Sequence, residues 1–512
     1  MKLNIVNKLF IMLLTFSMVI MSSCDSFIDE PLENTALLED VDYTQTENMF
    51  QLLTGSYANL YGMQWETYPL LAIRGDDVNA AGDQVPLQET DVFKYDRSFW
   101  MYNSVWLNLY SDIVSWHASI EEINKFKQFA PNPTEADQYI AEIRVMQALE
   151  LFQLARLWGN ILIPSSSQTF ELYTTPVSSF EEVMQFISEE MDEVIPLLPN
   201  MHPAERNDIP GGITRYTALA IKALANLELK NWQAVADATG AIIGSNEFSL
   251  SDDFYQLFKK PGKLNRENIL EFQYSDFGQG AGESRRFWFV TFGPQGWTPA
   301  RTGVGGGWGF YEPTVKYIKF MLDRNEQIRL ETSVLFTNDG IAQIQSDPAY
   351  ATLPAWISNT TRDGDVINNY ARADFASGKH YLPSTQITPG RNAYGEGKNL
   401  IVIRYAEILL MHAEALVSGA NSSELNADQA VNLVRERAGL SPLSGVSLDD
   451  VLDEKFAELG LEWGIRFYDL VRHNKTSELD YEGRDYDESE DRFLVYPLPQ
   501  LDLLPQLDSN NS

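Results

Sequence analysis

Cysteine is nearly absent from this chain. One of its 512 residues, Cys24, is a cysteine, so no disulfide forms within the chain and no thiolate cluster holds a metal. Histidine is scarce as well. The five, His117, His202, His380, His412 and His473, lack metal-ligand spacing, and His412 beside Glu414 reads as a packed helix residue. No HExxH, P-loop or GxSxG pattern occurs, and the glycine run Gly303–Gly309 has no following Lys-Ser/Thr. No catalytic residue and no cofactor is therefore expected. Basic residues are outnumbered, 38 against 72 acidic, for a net charge of -34. Such a surface repels phosphate backbones and keeps the protein soluble, which argues against a nucleic-acid partner. A local pair such as Arg285-Arg286 can still hold an anion. Beyond the first 23 residues no apolar run is long enough to span a bilayer as a helix.

The N-terminus reads as a targeting segment. Lys2 and Lys8 precede the apolar run Leu9–Ile20, which is too short to cross a membrane and ends in small residues, as a signal peptide does. Met21-Ser22-Ser23-Cys24 then resembles a bacterial lipobox, in which the cysteine is lipidated and becomes residue one. Each buried acyl CH2 contributes about 0.8 kcal/mol, so several chains anchor firmly. Asp25 to Asp42 is an acidic tether.

Helical periodicity dominates the rest of the chain. Helices are predicted over 45–61, 102–129, 136–158, 179–195, 215–229 and 231–243. Gly159 is a natural C-cap, and Ala218, Ala220, Ala223 and Ala225 permit close helix contact. Helix pairs of this kind, repeated, suggest a tetratricopeptide-like array. Residues 74–99 break the pattern and read as a polar loop. From about 248 to 399 the helical signal fades into Gly, Pro, Asn, Asp and aromatics, with a short helix at 312–322 and helix or strand at 323–336. Residues 387–398 read as loop. A structureless loop of that length is improbable, so the region reads as an irregular subdomain. Helix returns at 403–417 and at 426–438, the latter opened by an Asn426/Gln429 capping box. Ser447 with Asp450 opens a last long helix whose face runs through Leu452, Phe456, Leu459, Trp463, Phe467 and Leu470. Residues 480–491 read as a solvated acidic loop, and Tyr496-Pro497-Leu498-Pro499 as non-helical. The fold class is thus mainly α. Its parts are a signal peptide at 1–23, helical regions at 24–247 and 400–512, and an insertion at 248–399.

The working surface is expected in the insertion, between Arg285 and Pro313. Trp288, Trp297 and Trp308 lie there among glycines, in a stretch with neither helical nor strand periodicity. A tryptophan in such a loop needs a partner or a ligand. Indole rings stack on the C–H faces of sugars, so these three are the first choices for glycan stacking, with Tyr311 and Trp356 in reserve. Gln295 and Arg301 can reach hydroxyls. The competing reading is that these rings form the subdomain's own core.

Several segments resemble the SusD-like (RagB/SusD) family. They are RYAEILLMHAEAL at Arg404–Leu416, LVRERAGL at Leu433–Leu440 and EKFAELGLEWGIRFYDLVR at Glu454–Arg472. The YPLPQLDLLPQL ending and the start after Cys24 are also similar. Gln147 and Trp463 depart from the family pattern, where Arg and Glu are common. The resemblance implies a lipid-anchored protein on the outer face of the Bacteroidota outer membrane. It also implies a binding protein, not an enzyme, that captures glycans, sometimes peptides, and sits on a SusC-like TonB-dependent transporter. It adds the loop holding Arg74, Asp77 and Asn79 to the site.

Other chemistry is weaker. Asp363-Gly364-Asp365 fits a turn better than a calcium loop. Glu407 and Glu414 lie two turns apart on one helix, about 10 Å, which overlaps with paired glycosidase carboxylates. They belong to the scaffold signature and read as structural. A glycoside hydrolase and a protein-binding helical adaptor are the remaining alternatives.

Overall fold

Apolar residues spaced three and four apart give helices wherever neighbours can cover the stripe they form. The computed structural model describes residues 41–275, 288–387 and 397–510, without the side chains of 288, 289, 509 and 510. The signal segment, Cys24 and Arg285-Arg286 lie outside the described residues, as does most of 387–398. Every helix and strand named below lies in the compact unit Glu47–Ser512.

The main unit begins with α1 (Met49–Leu60), α2 (Trp100–Lys127), α3 (Pro133–Trp158), α4 (Phe180–Val194), α5 (Arg215–Glu228) and α6 (Trp232–Ile243). From α1 onward each packs on the next. Ser179 caps α4 in a reciprocal box with Glu182, and Gly159 ends α3 at φ +72°. The four alanines of α5 are fully buried, which lets α4 and α6 approach it. After the insertion come α7 (Tyr405–Val417), α8 (Ala427–Arg437), α9 (Leu448–Leu459) and α10 (Ile465–Arg472). Helix α7 packs on α6 and carries α8 and α9, so the array continues across the insertion as a tetratricopeptide-like stack. Among the described residues no helix is long and apolar enough to cross a membrane.

The insertion is built from short antiparallel pairs. Strands β1 (Val78–Ala80), β2 (Asn268–Phe272), β3 (Trp297–Thr298), β4 (Tyr311–Pro313), β5 (Val334–Phe336), β6 (Val366–Ile367), β7 (Phe375–Ser377) and β8 (Leu400–Arg404) pair as β1–β4, β2–β8, β3–β6 and β5–β7. Residues 327–333 are helical and 334–336 extended, so the segment after Asp323 is both.

Four readings are corrected. Ile403 lies on β8, not on the following helix, because β2 supplies it with a hydrogen-bonded neighbour. The last long helix is two helices. Between them Leu461, Trp463 and Gly464 take positive φ, and a Cβ at Gly464 would stand 2.0 Å from the Leu71 carbonyl oxygen. The tail forms a short helix, Leu498–Leu503, with Pro499 in its first turn, where no N–H is missed. The 74–99 stretch is no polar loop. It forms β1 and a helix at Val85–Asp91, and Arg74, Asp76 and Asp77 are buried.

Some buried polar groups inside the stack are uncompensated. Glu150 of α3 is fully buried and neither carboxylate oxygen has a hydrogen-bond partner. Burial, and then the charge of Asp112 on α2, raise its pKa well above the ordinary 4.5, and burial pushes Asp112 up to about 6. A folded state that keeps these protons binds more of them than the unfolded chain once the pH passes the ordinary carboxylate value. This stability is present below that value and is lost as pH rises. Glu150→Met is expected to stabilise the protein by about 1–3 kcal/mol at pH 8 and by less at pH 4. Thermal unfolding at the two pH values checks this; a pH-independent difference contradicts it.

Candidate functional site

The glycine-dense stretch is shaped by a close crossing of two backbones. After the short helix Trp288–Phe292, residues 307–310 run back against it. Trp308 N–H donates to the Val290 carbonyl at 2.6 Å, Gly309 to Gly293 at 3.1 Å and Phe310 to Thr291 at 3.0 Å. A Cβ at Gly307 would stand 2.3 Å from the Gly293 oxygen, and Gly309 sits at φ +67°. Only glycine permits this approach. Its consequence is to push the Trp308 indole outward, 37% exposed.

Trp308 meets a residue from the other end of the chain. Trp65 lies in the turn between α1 and the helix Thr67–Ala72, half-buried, with its ring 6.4 Å from that of Trp308 at 85°. Phe310 packs beneath both, at 6.0 Å from Trp65 and 5.7 Å from Trp308. The turn is tied to α2, because Gln64 N–H donates to Asn108 and Ser104 Oγ donates to Gln64 Oε1 at 2.6 Å. Two indoles thus form a corner on an apolar base.

Polar groups rim the corner. Gln295 is exposed, and its Cβ and the Tyr370 ring both flank Gly309. The Tyr370 hydroxyl is itself buried, without a hydrogen-bond partner, so Tyr370 offers the rim its ring and not its hydroxyl. Asp83 follows Gly82, where a Cβ would stand 2.3 Å from the Phe310 ring, and pairs with Arg372 at 3.5 Å. Amide, carboxylate and guanidinium around two stacking faces are the groups that hold a polyol. Among the described residues no group of three or more His, Cys, Asp or Glu side chains gathers to hold a metal.

The other expected site residues lie elsewhere. Arg74 is fully buried; it donates to the Arg492 carbonyl at 3.0 Å and to Tyr468 Oη at 2.9 Å, and stacks on Phe467. Asp77 is buried and accepts from Leu461 N–H at 2.7 Å, with burial pushing its carboxyl up to about 6. Tyr311 is buried and donates to the Leu461 carbonyl at 3.0 Å. These three are core, because the chain at 461–492 closes over them. Asn79 is half-buried on β1 and accepts from Arg484 at 2.9 Å. Arg301 donates to the Ile387 carbonyl at 2.9 Å. Trp297 is half-buried on β3, edge-on to Tyr381 at 6.3 Å. Trp356 lines a separate shallow depression, about 30 Å³, with Tyr255 and Ile367. The Trp288 side chain lies outside the described residues. Of the expected residues the corner therefore unites Trp308 and Gln295. Trp65, Tyr370, Asp83 and Arg372 of the corner were not among the expected residues. Trp65 carried the same signal as Trp308, an indole in a turn after Gly62.

The departures from the family pattern are absorbed locally. Trp463 Nε1 donates to the Ile401 carbonyl at 2.8 Å, and Gln147 to the Ile113 carbonyl at 3.2 Å.

A sequence profile described as the SusD family matches residues 235–499. The chain belongs to the SusD family. A SusD-like protein of Bacteroides ovatus is 22% identical over 482 residues, covering 89% of this chain and 81% of its own. SusD-like protein P38 of Formosa agariphila is 26% identical over 415 residues, 73% of each chain. Among solved structures, a laminarin binding SusD-like protein superposes with a TM-score of 0.73 at 21% identity, over 88% of this chain and 97% of that one. Surface glycan-binding protein A from Bacteroides thetaiotaomicron, in complex with laminarihexaose, gives 0.70 at 21%, over 91% and 98%. The SusD profile includes Trp308 but not Trp65, so the corner joins matched and unmatched parts of the chain.

Core and corner separate by stability. Trp308→Ala is expected to change unfolding free energy by no more than about 0.5–1 kcal/mol, as for a surface residue. Tyr311→Ala is expected to cost about 3–5 kcal/mol. Chemical denaturation of both variants checks this; equal losses place Trp308 in the core.

Proposed function

We propose that this SusD-family chain is a cell-surface lipoprotein that captures an oligo- or polysaccharide at the Trp65–Trp308 corner and delivers it to a SusC-like TonB-dependent transporter. The observation that carries the reading is the indole pair of exposed Trp308 and half-buried Trp65, seated on Phe310 and rimmed by Gln295, Tyr370, Asp83 and Arg372. Burying a sugar's C–H face on an indole removes apolar area from water, and the rim supplies hydrogen bonds to the hydroxyls. Two rings at 85° suit a chain that turns better than a flat ribbon. The fold neighbours named for laminarin and laminarihexaose make a glucan the first ligand to try.

The site binds and releases. Glu407 and Glu414, the pair at glycosidase-like spacing, are buried inside the scaffold, and Glu414 is held by Arg472, Lys455 and His473. Neither meets a substrate. The rim carboxylate Asp83 is paired with Arg372 at 3.5 Å.

Calorimetric titration of the protein with a glycan panel that includes laminarihexaose tests the reading. Saturable binding of at least one glycan is expected, weakened at least tenfold, about 1.4 kcal/mol, by Trp65→Ala or Trp308→Ala. Binding to none supports a protein-binding adaptor, and accumulation of new reducing ends supports a hydrolase. For the anchor, Cys24→Ala is expected to move the protein from the membrane fraction to the soluble one; retention on membranes lacking the transporter contradicts it.

A further inference from the structure

A small cleft, about 90 Å³, opens between the end of α3, the α5–α6 turn, α10 and the chain at 488–493. It shares no residue with the indole corner. Four cations line it, Arg156, Lys230, Arg472 and Arg492, against two carboxylates, Glu228 and Glu488. In a chain of net charge -34 this excess is local.

The four cations are not equally committed. Arg472 donates to Glu414 Oε1 from Nε at 3.2 Å and from Nη2 at 2.9 Å. Arg156 is only 8% exposed, with its guanidinium stacked 3.3 Å from the Tyr468 ring centroid. Its Nε has no hydrogen-bond partner. Glu228 Oε1 stands 4.0 Å from that nitrogen and 3.6 Å from Arg472 Nη1, beyond hydrogen-bond reach of both. On the facing wall Arg492 stacks on Phe180 and Phe493, at 5.5 and 5.0 Å, with Glu488 3.5 Å away. Lys230 closes the rim from the α5–α6 turn, exposed.

A buried guanidinium with an unused N–H is costly, and burial pulls the Arg156 pKa down. The carboxylates present do not close on it. A planar guanidinium fixed by stacking presents its N–H edge in a set direction, the arrangement that recognises oxyanions. We propose that this cleft is a second binding site, for one small oxyanion group, with Arg156 Nε as the buried donor and Lys230 and Arg492 closing over the ligand. The ligand class is a carboxylate, sulfate or phosphate group, free or carried on a sugar.

The test uses the intact protein, titrated calorimetrically with acetate, glucuronate, sulfate and phosphate at ionic strength held constant with chloride. Saturable one-to-one binding of at least one anion is expected. The Lys230→Ala/Arg492→Ala double variant is expected to bind it at least tenfold more weakly, with its laminarihexaose titration unchanged. Both positions are solvent-accessible, so the variant folds, and an unaltered melting temperature confirms that. Acetate and glucuronate binding assigns a carboxylate; sulfate or phosphate binding assigns the tetrahedral anion that saturates. Saturation by none of the four, or equal affinity in the double variant, overturns the proposal. Because the anion titration is read without glycan, failure of the corner as a glycan site leaves this result independent.

Discussion

A buried ionic cluster centred on Glu458 ties the insertion to the helical stack. Arg404, at the end of β8, donates to Glu267 at 2.9 Å, to both oxygens of Glu462 at 2.9 Å, and to the Glu458 carbonyl at 2.7 Å. Arg329, from the insertion, reaches Glu454 at 2.7 Å and Glu458 at 3.2 Å. Lys379 Nζ donates to the carbonyls of Glu458 and Gly460 and to Glu462. Burial alone would raise the Glu458 pKa, but Arg437, Arg404 and Arg329 overcome it and hold the carboxyl far below its ordinary range. Such a network costs several kcal/mol of desolvation per ion and is recovered only when every partner is in place. It therefore acts less as a source of stability than as a register. Insertion, strand and C-terminal helices fit together in one way.

That register fixes the break between α9 and α10. Because Glu458 and Glu462 are held, the chain from Gly460 to Gly464 turns beneath the Thr67–Ala72 helix, and the Leu461 carbonyl accepts from both Tyr68 and Tyr311. Asp77 caps Leu461 N–H from the other side. Tyr68 lies three residues from Trp65 and Tyr311 three from Trp308. Their shared acceptor places the two segments that carry the corner indoles. The apolar cluster of Tyr68, Phe292, Tyr311 and His380 fills the space behind them. The site is therefore a surface consequence of a buried polar junction, and its two rings owe their 85° angle to it.

Periodicity made the stack legible in the sequence. The helices at 49–60, 180–194 and 232–243 fall where apolar spacing puts them, and the caps expected at Asn426 and Ser447 are present as capping boxes. What periodicity cannot express is a break that keeps its phase. Leu459, Trp463 and Phe467 continue a helical stripe across residues that turn through positive φ, because the reason for the turn, Leu71, is far along the chain. The same limit applies to the site. Trp308 was visible because glycines around an indole leave few structural uses for it. The family resemblance put Arg74 and Asp77 at the site, and a Gly- and Asp-rich stretch resembles an exposed loop, whereas residues 461–492 bury both side chains. Trp65 was passed over because its partnership with Trp308 is a tertiary fact.

The central claim is that Trp65 and Trp308 together form the ligand-contacting surface. Fluorine NMR of 5-fluorotryptophan-labelled protein, with resonances assigned by single Trp→Phe replacements, reads each indole separately. On titration with a bound glycan, the Trp65 and Trp308 resonances are predicted to shift together and saturably, while the buried Trp106, Trp116 and Trp158 stay in place. Saturable shifts at Trp297 or Trp356, with Trp65 and Trp308 unmoved, would contradict the account.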